Sequence, residues 1–125
     1  MVDRRSVQIS VIAHASILVG FFFRYSFILP LLIWKTMKHS KYSERQARQA
    51  TYYQMAALLI VLAVSFTAEL AILLSSADDR VQKADDLLIR EIELGAYTIL
   101  SLYALYGAYR CSRGQEFRYL LIGNI

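Results

Sequence analysis

The run from Gln49 to Ala68 holds 20 residues without a charge, and it constrains the chain more than any other feature. About 20 apolar residues at 1.5 Å each span the ~30 Å hydrocarbon core of a bilayer. A second uncharged run, Ser6 to Phe23, holds 18 residues, and a third, Leu94 to Tyr109, holds 16. A fourth, Tyr25 to Trp34, holds 10 and contains the sole proline, Pro30. It falls short of a crossing unless Lys35 snorkels to the interface. With 57% hydrophobic residues, 19% charged and a mean hydropathy of +0.38, the composition departs from that of soluble domains in the same direction. It excludes a disordered or linker-rich chain, and the single cysteine, Cys111, excludes an internal disulfide. The predicted class is an all-α integral membrane helical bundle.

Lys and Arg collect on the cytoplasmic flanks of membrane segments. Arg4 and Arg5 precede the first run, Lys35, Lys38, Lys41, Arg45 and Arg48 crowd the second connection, and Arg110, Arg113 and Arg118 follow the last run. The stretch 78–93 instead carries six acids against Arg80, Lys83 and Arg90. Three basic zones inside and one acidic zone outside require an even number of crossings. One transmembrane domain over 1–125 follows, with four membrane-embedded helices at about 6–23, 25–37, 44–75 and 78–112. The second is short, and the last two form a long antiparallel hairpin. Both termini then face the cytoplasm across a bacterial-type inner membrane, with Arg24 at the outer face. The rival is one kinked helix from Ser6 to Met37, which would expose a basic zone outside. Ala13-His14-Ala15 imitates a signal cleavage site, but the apolar run before it is too short and the sequence begins at Met1, so the segment is read as retained.

Ser43 followed by Gln46 is a capping-box pattern that predicts a helix start near Glu44, with Tyr52 and Tyr53 just inside the interface. Gly114 is the predicted stop of the last helix. Inside lipid, small residues allow helices to approach. Three faces qualify: Ala13, Ser16 and Gly20; Ala63, Thr67 and Ala71; and Ser101, Ala104 and Ala108. Outside the membrane, Val81, Ala84, Leu88 and Ile92 recur at helical spacing, and Asp79 with Lys83 and Asp86 with Arg90 are i,i+4 pairs. This stripe is a candidate partner contact, with a solvated loop as the alternative.

The order of several short motifs matches a known family. They are His14 in the first run, Pro30 to Trp34 in the short one, Ala47 to Gln54 opening the third, and Arg113 to Tyr119 at the end. Over His14 to Tyr119 the chain resembles the family of the twenty-kilodalton Tic component, the chloroplast inner-envelope import protein, and its small bacterial relatives. The resemblance implies a four-span helical membrane protein and, in chloroplasts, a link to protein translocation. The charged stretch 77–93 departs from that family's compact outer connection.

Catalysis would need clustered carboxylates, a histidine pair or a nucleophile with a base, and none is visible, so the chain is read as a non-enzyme without metal or cofactor. His39 lies among basic residues, where a solvated position is expected. His14 in mid-run could ligate haem or chlorophyll, or form a helix-to-helix hydrogen bond, which the lack of a second histidine at bis-ligand position on a neighbouring span favours. Gln54 and Glu69 are the other intramembrane polar groups, and Glu69 is expected to pair with Arg24, or with Arg90. Lys35, Lys38, Lys41, Arg45 and Arg48 suit anionic lipid headgroups, whereas a net charge of +4 is modest for nucleic acid. Cys111 is read as an inert thiol, with acylation as the alternative. The expected function is that of an accessory, scaffold or assembly subunit, in contact with lipid and with other membrane-protein subunits. The alternative is a component of a translocation channel.

Overall fold

A computed structural model of the chain describes residues 2–75, 79–120 and 122, with side chains described outside 75–85. Within these residues the chain is helical and contains no strand. Helix α1 spans Arg4–Ala15 and passes into a 3₁₀ helix, Ser16–Phe21. The change falls where Ser16 Oγ donates to Ala13 O at 2.6 Å, a side-chain bond that competes with the regular ladder. After a turn, α2 spans Ile28–Thr36, α3 spans Lys41–Ser75 and α4 spans Asp79–Ser112. Pro30 sits in the first turn of α2, where a missing N–H costs no helical bond.

Helix α3 begins earlier than the Ser43–Gln46 pattern suggests. Ser43 N–H donates to Ser40 Oγ at 3.1 Å and Ser40 N–H donates to Ser43 Oγ at 3.2 Å, so the reciprocal cap is made by two serines. Gln46 is thereby one turn inside the helix. At the other end of the chain, Gly114 takes φ +70°, with its N–H donating to Cys111 O and that of Gln115 to Arg110 O. This is a Schellman ending, which favours a residue without Cβ.

Cross-helix bonds set the directions. Gln46 meets Cys111, Tyr53 meets Leu100, and Ser65 meets Glu93, so numbers rise on α3 as they fall on α4 and the two run antiparallel. Ser6 meets Ser40, His14 meets Gln46, and Ser16 meets Gln54, so α1 runs parallel to α3. The stretch through α2 must therefore carry the chain back to its starting end. Helix α1 packs between α3 and α4, and α2 rests on α3 through Ile33 and Trp34 against Ala47 and Ala50.

Among the described residues one helix, over Lys41–Leu74, is long and apolar enough to cross a membrane by length and composition. The nine residues of α2 extend only about 14 Å, so helix length alone does not make a fourth crossing. Of the three small-residue faces, Ala13 and Ser16 are buried, as are Ser101, Ala104 and Ala108, whereas Ala63, Thr67 and Ala71 face outward. That middle face lies on the part of α3 beyond the reach of α1 and is exposed among the described residues.

Candidate functional site

The interior holds a set of polar side chains, while large apolar side chains are exposed on the helices. His14, Gln46, Gln49, Thr51 and Gln54 are all buried, while Phe22, Leu74, Leu73 and Ile99 are 95%, 80%, 71% and 70% exposed. His14 is the centre of the polar set. Its Nε2 lies 3.0 Å from Gln46 Oε1 and its Nδ1 lies 2.8 Å from Tyr119 Oη. A carbonyl oxygen only accepts, so Nε2 donates and Nδ1 accepts the tyrosine proton. Cys111 Sγ also donates to Gln46 Oε1 at 3.4 Å. Both ring nitrogens of His14 are thus engaged by protein, Nε2 through its proton and Nδ1 through the ring's one available lone pair. The imidazole ties α1 to α3 and to the C-terminal tail.

That tail is the part of the site that sequence reasoning missed. After Gly114 the extended residues 115–119 turn back into the bundle, burying Phe117 and Tyr119. Tyr119 stacks on Tyr53 with ring centroids 4.0 Å apart and an angle of 6°, and its N–H donates to Gln49 Oε1 at 3.3 Å. Phe117 stands edge-on to His14 at 5.6 Å and covers Gly107, where a Cβ would lie 2.7 Å from its ring. Tyr53 is therefore a core residue whose hydroxyl donates to Leu100 O at 2.7 Å, and only Tyr52, half-buried against Trp34, keeps a peripheral place. Gln54 Nε2 donates to Ala13 O and Ser16 Oγ, at 3.2 and 2.9 Å.

Asp3, residues 115–116 and the α2–α3 junction gather at one end of the bundle. His39 Nε2 meets Asp3 Oδ2 at 2.8 Å, Tyr42 Oη donates to Gln115 O at 2.7 Å, and Arg45 pairs with Glu116. Hydrogen bonds from Ser6 and then His39 hold the Asp3 carboxyl down at about 2, and the Arg45 guanidinium holds Glu116 below the usual carboxylate range. His39 is exposed, as expected of a solvated residue, and it also meets Asp3. Of the five basic candidates, Lys35, Lys38 and Lys41 are exposed, Lys35 lying 4.3 Å over the Trp34 ring, whereas Arg45 is engaged by Glu116 and Arg48 is half-buried.

The expected Arg24–Glu69 pair does not form, nor does Glu69 pair with Arg90. Glu69 lines a depression of about 190 Å³ with Asp86 and Ile89. Arg24 and Arg90 instead line a groove of about 380 Å³ together with Glu93, Leu58 and Leu62. Matching the depths of two charges ignored which way each helix turns them. The Asp86–Arg90 pair is likewise absent from the described ion pairs. In the outer stripe Leu88 and Ile92 are exposed and Ile89 is the buried neighbour, while the side chains of Val81 and Ala84 and the Asp79–Lys83 pair lie outside the described residues. Among the described residues no group of three or more His, Cys, Asp or Glu is placed to hold a metal ion.

No curated protein and no solved structure matches the chain. A family model matches residues 5–125, and it is not that of the chloroplast import component. The resemblance rested on short motifs such as Pro30 to Trp34 and Arg113 to Tyr119, and a match over almost the whole chain overrides it. A helical membrane-type chain with a buried histidine and an inserted aromatic tail thus has its place: the protein belongs to the magnetosome magnetite crystal formation protein family, MamF/MmsF.

Proposed function

We propose that the chain is a non-catalytic protein of the magnetosome membrane, serving magnetite crystal formation as an accessory or assembly subunit. The observation that carries this reading is the burial of a polar set together with the exposure of many large apolar side chains. Buried polar groups bond one another while large apolar side chains point outward, an arrangement that suits lipid as the surrounding solvent. Four membrane-embedded segments with both termini on the cytoplasmic side agree with the parallel run of α1 and α3 and with the meeting of Asp3, His39 and Glu116 near one end. Helix α1 and its 3₁₀ continuation, laid end to end, reach about 30 Å, enough for a crossing. The translocation alternative drew on the import-family resemblance and falls with it. Lys35, Lys38 and Lys41, exposed at the same end as Asp3 and Glu116, are placed to meet anionic headgroups, and Leu88 and Ile92 to meet a partner subunit.

Single cysteines in a Cys111→Ser background test the topology, at Arg4, Lys38, Asp79 and Ser112. The expected result is labelling of positions 4, 38 and 112 from the cytoplasmic side and of position 79 only from the other side. Labelling of position 38 from the side that labels 79 overturns the arrangement. For the accessory role, the measurement is co-purification from native membranes, with loss of the partner on replacing Leu88 and Ile92 by serine. A chain that runs alone at native expression overturns it.

A further inference from the structure

The groove near the far end of the bundle is built like a lipid site. Its walls come from three elements: the end of the 3₁₀ helix at Gly20 to Phe22, the middle of α3 at Leu58 and Leu62, and α4 from Arg90 to Tyr97. Much of the lining is apolar, and Phe21 is fixed there edge-on to Tyr97 at 4.7 Å. Two guanidiniums also line it, Arg24 from the turn before α2 and Arg90 from α4. Neither enters an ion pair or hydrogen bond among the described residues. The one carboxylate in the groove, Glu93, already accepts a hydrogen bond from Ser65. The lining side chains therefore carry a net charge of one positive unit among apolar neighbours.

Arg24 and Arg90 are exposed and unpaired among the described residues, and at the margin of a membrane segment such guanidiniums attract anionic headgroups. A guanidinium fork matches phosphate oxygens in a bidentate fashion and does so from an interface more readily than an ammonium. Phosphate alone would leave the apolar lining uncovered. A headgroup phosphate with its acyl chain satisfies both at once.

We propose that this groove binds one acidic phospholipid, its phosphate held between Arg24 and Arg90 and an acyl chain lying against Leu58, Leu62 and Leu94. The site rests on the membrane reading given above. It is distinct from the exposed lysines at the other end of the bundle, and under the four-segment arrangement it selects a lipid of the opposite leaflet. Glu93 sets the specificity, because a second negative group on the headgroup would meet its carboxylate. A singly charged glycerol headgroup, as in phosphatidylglycerol, fits better than a phosphomonoester.

The test is native mass spectrometry of the purified full chain from micelles doped with phosphatidylglycerol or phosphatidylcholine. The expected spectrum retains one phosphatidylglycerol, and the Arg24→Gln/Arg90→Gln double variant retains it about tenfold less. Leu62→Trp, which keeps both guanidiniums and fills the groove, should lose the lipid as well. Arg4→Gln/Arg5→Gln, with the same change of charge elsewhere, should keep it. Circular dichroism establishes that each variant is folded, and if the arginine variant is not, Leu62→Trp decides alone. Equal retention of the two lipids, retention by a folded double variant or by Leu62→Trp, or binding of added inorganic phosphate with no lipid retained overturns the proposal. Failure of the membrane reading has a different signature: the chain would stay monodisperse after detergent is removed.

Discussion

The two ends of the bundle are held by different means. At the end where Asp3 and residues 115–116 gather, α1, α3, α4 and the tail meet through His14, Gln46, Gln49, Tyr53 and Tyr119, nearly all of them sealed from solvent. At the far end, α3 beyond Leu58 presents Leu59, Phe66, Leu73 and Leu74 outward and touches α4 through Ser65 and Glu93. Against lipid, apolar burial does little to choose one helix arrangement over another, so polar bonds and close small-residue contacts must do so. The contrast teaches that the register of this fold resides at one end, while the other end is shaped for the surrounding solvent.

Removing the tail anchor should break the contrast most strongly. Tyr119→Ala deletes a buried ring stacked on Tyr53 and orphans His14 Nδ1, an expected loss of about 3–5 kcal/mol by thermal or denaturant unfolding in micelles. Leu73→Ala, at the exposed far end, should change stability by less than about 0.5 kcal/mol. Similar losses from the two would erase the distinction between the ends.

The imidazole link sharpens the comparison. His14→Leu should cost about 2 kcal/mol, since Tyr119 Oη loses its acceptor in a buried site and Gln46 Oε1 keeps only the longer bond from Cys111. Adding Gln46→Leu should then cost less than in the parent chain. Strict additivity in this double-mutant cycle would show that the two side chains are not coupled.

A smaller effect belongs to Gly20, at the margin of the far groove. A Cβ there would fall 1.6 Å from Tyr97 Oη, so Gly20→Ala must push the phenol from its bond to Ile17 O. The displaced atom is the tip of a side chain, and about 1 kcal/mol is expected, read as a drop in unfolding midpoint. Tyr97→Phe should recover part of that loss.

The smallest effect is at the exposed Arg45–Glu116 pair. Its carboxyl is lowered by Arg45, so its stabilisation is fully present above the unfolded glutamate value of ~4.3 and is lost as pH falls through the lower folded value. Arg45→Gln should remove about 0.5 kcal/mol at neutral pH and nothing well below the folded value. A difference that persists unchanged in acid would assign the effect to something other than this ion pair.

Particular residues show how far the sequence could be read. Gly114 was legible because a helix end is a local event, written by one residue that tolerates positive φ. Ser43 was read as a cap for Gln46, yet it pairs with Ser40, because the same short pattern fits several registers and only the packing of Gln46 against His14 selects one. Glu69 and Arg24 were matched by depth, but they line different depressions, since depth along a helix says nothing about its rotation. The insertion of Phe117 and Tyr119 carried no signal of its own, because an extended tail of five residues has no period from which a buried face can be read.

The sequence by itself determined the helical character, the apolar runs and the placing of charge at their ends. These depend on hydropathy and spacing within one segment and are the same whatever that segment touches. The tertiary structure alone decided that α1 runs parallel to α3, that His14 joins two helices and the tail, and that Arg24 and Arg90 share a groove. Those outcomes depend on the mutual rotation and depth of several helices at once, and burial of polar side chains is favourable only where all their partners arrive together.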